Sequence, residues 1–314
     1  MSSFGYDPEF LVAMTALIET IGVPEIPDAV SVESLRRQAE KDLPLFGELA
    51  EPQPHVSFER HVCRRDDGSE LELRWYTARD SAPGSAAVFV HGGGMVLGDL
   101  DVYDRIVAQY VGRSGVPLLA VEYRLAPEHP YPAALDDCSM AVAWLHDHAA
   151  ELGVDPMRIA IMGDSGGGAI AAATALVTRD RELPPLCAQL LIYPMLDDRT
   201  RTPDPVLAPW VGWTWENSVV AWDAVTGGVS EPSEYAAPAR ANSLAGLPRT
   251  YIDTGELDVF RAEILIYASR LTAAGVSTEL HMYPGVPHAF ELVAPKTSVA
   301  RKALQLRFDF LRTL

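Results

Sequence analysis

The chain has 314 residues and a formal net charge of −18, from 43 Asp and Glu against 25 Lys and Arg. With no basic run anywhere, nucleic acid and stable membrane association are excluded as partners, and no stretch approaches the ~20 uninterrupted apolar residues of a membrane span. Cys63, Cys138 and Cys187 are widely spaced and form no C-x-x-C, which fits neither a disulfide framework nor a zinc site, so ordinary core thiols and no metal are expected. A length of this order suits one α/β core with an inserted lid. Met1 to Asp7 offers no basic segment leading into a long apolar one, so the reading is a soluble, cytoplasmic protein.

Asp7-Pro8 reads as an N-cap followed by proline at the first helical position, and Phe10, Leu11, Met14, Leu17, Ile18 and Ile21 recur at helical spacing. A Pro-rich break at Val23 to Pro27 leads to a second helical stretch from Ser31, and Pro44 to Pro54 reads as a linker. From Val56 the period changes to two, through Val56, Phe58, Arg60 and Val62 and again through Leu71, Leu73 and Trp75, with Asp67-Gly68 as the turn between two antiparallel strands. Short, almost wholly apolar runs follow at Ala86 to Val90, Pro117 to Val121, Ile159 to Met162, Gln189 to Tyr193, Thr250 to Ile252 and Glu279 to Tyr283. Runs of this kind alternating with helical stretches predict a parallel sheet buried on both faces.

Four of these strands run into chemistry. His91-Gly92-Gly93-Gly94 follows the first apolar run, and its glycines let main-chain amides approach a substrate oxygen closely. Gly163-Asp164-Ser165-Gly166-Gly167 lies between the run ending at Met162 and the alanine-rich stretch to Val177, which is strand, sharp turn and helix. A Gly-x-Ser-x-Gly turn strains the serine backbone and lifts Oγ above the sheet edge. Serine alone is a poor nucleophile, so a base and an orienting acid are required. His288, on the Gly/Pro-shaped loop after the last strand, supplies the first, and Asp258, after the preceding strand, the second; Asp253, Glu256 and Glu263 stand as alternative acids. The order Ser165, Asp258, His288 is the one this kind of sheet produces. Amides of Gly93, Gly94 and Gly166 would hold an oxyanion, each such donor contributing typically ~2.7 to 4 kcal/mol in the transition state. Asp164 is expected to brace the turn, His91 to fix its loop, and His281 to be structural.

Thr202 to Thr226 breaks the alternation with three prolines and Trp210, Trp213, Trp215 and Trp222, and reads as an insertion. Core packing and an aromatic wall for flat acyl or alcohol groups, built from Trp210, Trp213 and Trp215, are both open readings. A dinucleotide fingerprint can be drawn through Gly166, Gly168 and Ala171, but the next strand does not end in the acid that would hold a ribose.

His91 to Gly94, the segment Tyr123-Arg124-Leu125-Ala126-Pro127-Glu128-His129-Pro130-Tyr131-Pro132-Ala133, the serine turn and the Asp258 and His288 loops together resemble the bacterial hormone-sensitive-lipase-type carboxylesterases over nearly the whole chain. Tyr235 to Ala241 and Leu271 to Ser277 look most like the heroin esterase branch. The resemblance implies an α/β-hydrolase fold with a mostly parallel eight-stranded sheet flanked by helices. It also implies a helical cap from residues 1–54 and 202–226 over a core of 55–201 and 227–314. No cofactor, a small-molecule ester substrate with a short acyl chain, and a homodimer through the sheet edge go with it. Ser165, Asp258 and His288 fall on the family's nucleophile, acid and base, and Gly93, Gly94 and Gly166 on its oxyanion amides. A non-catalytic ligand-binding protein on the same fold, and amide or lactone hydrolysis by the same residues, are the alternatives. Three positions depart from the family's habit: Gly166 where alanine is common after the serine, Val259-Phe260 where Pro-Leu usually follows the acid, and Ala289 where glycine usually follows the histidine.

Overall fold

Asp7 accepts a hydrogen bond from the Phe10 amide (3.0 Å) and Pro8 opens the first turn, so helix α1, Pro8–Ile21, begins where the sequence predicts. The structure, a computed structural model, describes residues 4–22, 29–79 and 84–314; the Pro-rich break at Val23 to Pro27 lies outside them. Ser31 and Ser34 cap one another at the start of α2, Val32–Leu49. This helix runs straight through Pro44, so the expected linker is confined to the few residues before Pro54. Tertiary packing decides the matter: Gly47 lies so close to α3, Leu100–Ser114, that a Cβ there would stand 2.9 Å from the Val102 carbonyl. A helix held by such a neighbour tolerates the one amide that proline removes.

Strands β1, Val56–Arg64, and β2, Glu70–Ala78, pair antiparallel across residues 65–69, where Gly68 takes a φ of 84° and Asp67 accepts from the Ser69 amide. The other strands are β3, Ala86–Val90; β4, Leu118–Val121; β5, Ile159–Asp164; β6, Ala188–Ile192; β7, Arg249–Gly255; and β8, Thr278–Tyr283. The eight-stranded sheet has the order β1-β2-β4-β3-β5-β6-β7-β8, with β2 antiparallel to both neighbours and every pair from β4 to β8 parallel. Strands β3, β4, β5 and β6 are buried at every residue, each Val, Leu or Ile contributing roughly 1.5 to 3 kcal/mol by leaving water. The edge strands instead expose Phe58, Val62, Leu280 and Met282.

Helices α4, Ala133–His148, α5, Ser165–Asp180, and α7, Arg261–Ala273, follow β4, β5 and β7. Alanine and glycine dominate α5, which is buried from Ser165 to Thr178 because only small side chains let a central helix lie this close to the sheet. Helix α6, Trp215–Thr226, occupies the expected insertion, and the short α8, Phe290–Val293, and α9, Ser298–Arg312, complete the chain. Because β3, β5, β7 and β8 are parallel, the loops after them emerge at one sheet edge. His91 to Gly94, Ser165, Asp258 and His288 all belong to those loops.

Candidate active site

Ser165 is the first residue of α5 and sits at φ 52°, a left-handed conformation that a residue with a Cβ adopts at a cost of about 1 to 2 kcal/mol. The turn closes tightly around it: a Cβ on Gly167 would stand 2.2 Å from the Val90 carbonyl oxygen and 2.3 Å from that of His91. Glycine is therefore demanded at 167 by the approach of strand β3, and the free amides of the helix start face the same point.

His288 bridges the two partners the sequence proposes for it. Its Nε2 lies 2.8 Å from Oγ of Ser165, and its Nδ1 lies 2.8 Å from Oδ2 of Asp258. Since a carboxylate only accepts, Nδ1 carries the proton and Nε2 is left to accept from the serine hydroxyl. The second oxygen of Asp258 accepts from the Phe260 amide at 2.8 Å, and the Phe260 ring meets the imidazole edge-on with centroids 5.1 Å apart. Val259-Phe260 thus shapes the Asp258 loop without the usual proline. Ala289 takes φ 56°, the conformation that makes glycine the common choice after this histidine. The alternative acids are engaged elsewhere. Asp253 holds Arg307, Glu256 accepts from the Gly285 amide, and Glu263 accepts from the amides of Leu196 and Asp197.

Gly93 and Gly94 have φ of 109° and 59°, and the loop they form lies against Gly166. His91, fully buried and held neutral by desolvation that lowers its pKa to about 4, donates from Nδ1 to the Gly92 carbonyl and stacks on Tyr123 at 4.2 Å. The expected loop-fixing role suits this arrangement. Among the tryptophans, Trp213 lays the edge of its six-membered ring over Gly94, 3.1 Å from where a Cβ would be, and donates from Nε1 to Ser218 at 3.0 Å. Trp210 is reached by the N-terminal segment: Tyr6 donates to its carbonyl at 2.9 Å and meets its ring edge-on. Trp215 and Trp222 are buried in the main core. The same N-terminal segment touches the His288 loop directly, through the Asp7 amide and the Gly285 carbonyl at 2.7 Å.

Beneath the three side chains lies a polar cluster absent from the sequence reading. Tyr193, at φ 33°, packs edge-on against the His288 ring at 4.7 Å and donates to Glu291 at 2.6 Å. Arg307 is completely buried and donates to Asp253 at 2.7 Å and to Glu291 at 2.5 Å. A signal was available: Ala300, Ala303, Leu304, Arg307, Phe308 and Leu311 share the buried face of α9, so Arg307 stands in core register. Among the described residues no group of three or more His, Cys, Asp and Glu is placed to hold a metal ion, and no helix is long and apolar enough to cross a membrane.

A family model described as the α/β-hydrolase fold matches residues 87–292. The carboxylesterase NlhH of Mycobacterium tuberculosis is 38% identical over 262 residues, 79% of this chain and 80% of that protein. An ethyl acetate hydrolase of Pseudomonas putida is 32% identical over 83% of this chain and 84% of its own length. The solved structure of a bacterial heroin esterase superposes with a TM-score of 0.86 at 35% identity, covering 98% of this chain and 97% of that one. Fold, sheet order and relatives agree, and the chain belongs to the α/β-hydrolase fold family, in its hormone-sensitive-lipase-type carboxylesterase group.

Proposed function

We propose that the protein hydrolyses short-chain acyl and aryl carboxylic esters through an acyl-enzyme, with Ser165 as nucleophile, His288 as base and Asp258 as its orienting partner. The observation that carries this reading is the continuous line from Oγ of Ser165 through both ring nitrogens of His288 to Asp258, with 2.8 Å at each junction. As Oγ attacks the carbonyl carbon, its proton passes to Nε2 of His288, and the amides of Gly93, Gly94 and Gly166 receive the developing negative charge. The tetrahedral intermediate then expels the alcohol, which takes the proton from Nε2, leaving the acyl group on Ser165. Water repeats the sequence: His288 accepts its proton, the hydroxide equivalent adds to the acyl carbon, and collapse returns the proton to Oγ and releases the acid. Asp258 stays ionised and stabilises the imidazolium.

Two observations support small esters. Trp213 covers Gly94 and limits the room beside the oxyanion amides. Among the relatives are an ethyl acetate hydrolase, the heroin esterase and an arylesterase of Saccharolobus solfataricus, whose names specify acetyl or aryl groups or a small ester. On this reading the described parts of residues 1–54, together with 202–226, form a cap over the core, with Trp210 and Trp213 on its inner side.

An organophosphonate that mimics the tetrahedral intermediate should label Ser165, located by peptide mapping, and Ser165→Ala should lose labelling and on the order of a millionfold in kcat with the fold intact. Labelling elsewhere, or substantial activity in the variant, removes Ser165 from the mechanism, and a fully unreactive folded protein favours the non-catalytic ligand-binding alternative.

A further inference from the structure

Asp164 and Glu291 flank the proposed nucleophile and base, one immediately before Ser165 and the other three residues after His288. Both are buried, and each has one oxygen engaged and one without a partner among the described residues. Oδ2 of Asp164 accepts from the Tyr103 hydroxyl at 2.9 Å, while its Oδ1 is unpartnered. Oε1 of Glu291 accepts from Tyr193 and Arg307, while its Oε2 is unpartnered. The two residues line the same cavity of about 20 Å³, with Tyr103, Tyr110 and Tyr193 on its wall, which is room for one water. Two unpaired acceptors cannot satisfy one another; a water can donate one hydrogen to each, but that leaves two buried carboxylates facing each other, whereas a proton retained on one of them removes the repulsion.

Charge decides which acid keeps a proton. Arg307 is shared by Asp253 and Glu291, and among the described residues no Lys or Arg is paired with Asp164. We propose that Asp164 is held as the neutral acid and donates from Oδ1, through one bound water, to Oε2 of Glu291, so that a single proton clamps the serine turn to the base loop. Asp164 is then a positioning residue, acting on Ser165 and His288 through this bridge. The groups around it agree in sign. Burial is the main cause that pushes its carboxyl up to about 7; Glu291 adds to the shift, and the Tyr103 hydroxyl and His288 reduce it. Arg307 and Asp253 stand one step further away, against Glu291 and Tyr193.

The direct test is infrared difference spectroscopy on the whole protein across pH 5 to 9. In the difference between the parent and Asp164→Asn, a protonated-carboxyl stretch should be present at low pH and fade near pH 7, while the signal of Glu263, pushed up to about 8 by burial, is common to both and cancels. In Glu291→Gln, which removes the facing negative charge, the same band should fade at lower pH. A band absent throughout, or one whose titration ignores Glu291→Gln, overturns the shared proton. Stability should follow with a defined sign. Between about pH 4 and 7 the folded chain keeps a proton that the unfolded aspartate has released, so the denaturation midpoint falls as pH rises through that window, and does so less in Asp164→Asn. For the clamp, the rise of kcat/KM with pH that a histidine base produces is common to every variant, so the readout is the alkaline side: the parent protein should show an added break, a fall in kcat/KM above pH 7 as the band fades, and Asp164→Asn should lack that break. A titrating band with no matching break overturns the positioning role. The existence of the bridge does not depend on Ser165 being the nucleophile, since the infrared arm needs no turnover.

Discussion

Gly166→Ala inserts one methyl group at the residue where the family commonly carries alanine, and here the surrounding backbone leaves no room for it. A Cβ at this position would stand 2.7 Å from the Met95 nitrogen and 2.9 Å from both the nitrogen and Cα of Gly94. These are main-chain atoms, so ordinary contact at about 3.4 Å is regained only if the His91 to Gly94 loop and the serine turn separate by about 0.5 to 0.7 Å. A donor pushed back by that amount leaves the ~2.7 to 3.1 Å range in which it stabilises an oxyanion, and complete loss of one donor is worth ~2.7 to 4 kcal/mol. Partial relaxation of the loop lowers this, so kcat should fall on the order of 10- to 100-fold with KM little changed. Stability should fall slightly as well, because forcing backbone apart costs typically ~1 to 3 kcal/mol while alanine inside a helix is favoured over glycine by only roughly 0.5 to 1 kcal/mol. Steady-state hydrolysis of an aryl acetate, followed by release of the phenol, together with a thermal melt, measures both. A kcat within about threefold of the parent would refute the argument that the glycine is kept for loop approach.

Arg307→Ala should cost about 3 to 5 kcal/mol in chemical denaturation, because it strands Asp253 and Glu291 in the core without their shared cation. A loss under about 1 kcal/mol would show that the network rearranges around the gap. Trp213→Ala opens the space over Gly94 and should raise kcat/KM for hexanoyl relative to acetyl esters by about tenfold or more, as expected for at least one newly accommodated methylene. An unchanged chain-length profile would place the acyl group elsewhere.

Strand positions were legible because buried parallel strands must be apolar along their whole length, as Val88, Phe89 and Val90 are in β3 and Leu190, Leu191 and Ile192 in β6. The serine turn and the histidine loop were legible for a related reason: Gly and Pro mark where backbone leaves a strand. Strand β7 extends to Gly255, beyond its apolar stretch, because Asp253 is neutralised by Arg307, 54 residues away in sequence, and nothing local records that pairing. Pro44 misled for the complementary reason, since a local helix breaker was overridden by the contact between α2 and α3. The tryptophans show the same limit. Trp213 and Trp215 are two residues apart, and one lies over the glycine loop while the other is core.

The segment around Asp7 and the final long helix both press on the stretch that presents His288, one through Gly285 and the other through Glu291. Glu9 also accepts hydrogen bonds from Ser298, so these two regions, nearly three hundred positions apart, are fastened to each other as well. Changes that disturb Asp7, Glu9 or α9 are accordingly not neutral for the loop that carries His288. If His288 is the base proposed above, a loss of turnover after such engineering would report its displacement, and immobilisation chemistry is better directed to the exposed face of α7 around Ile266.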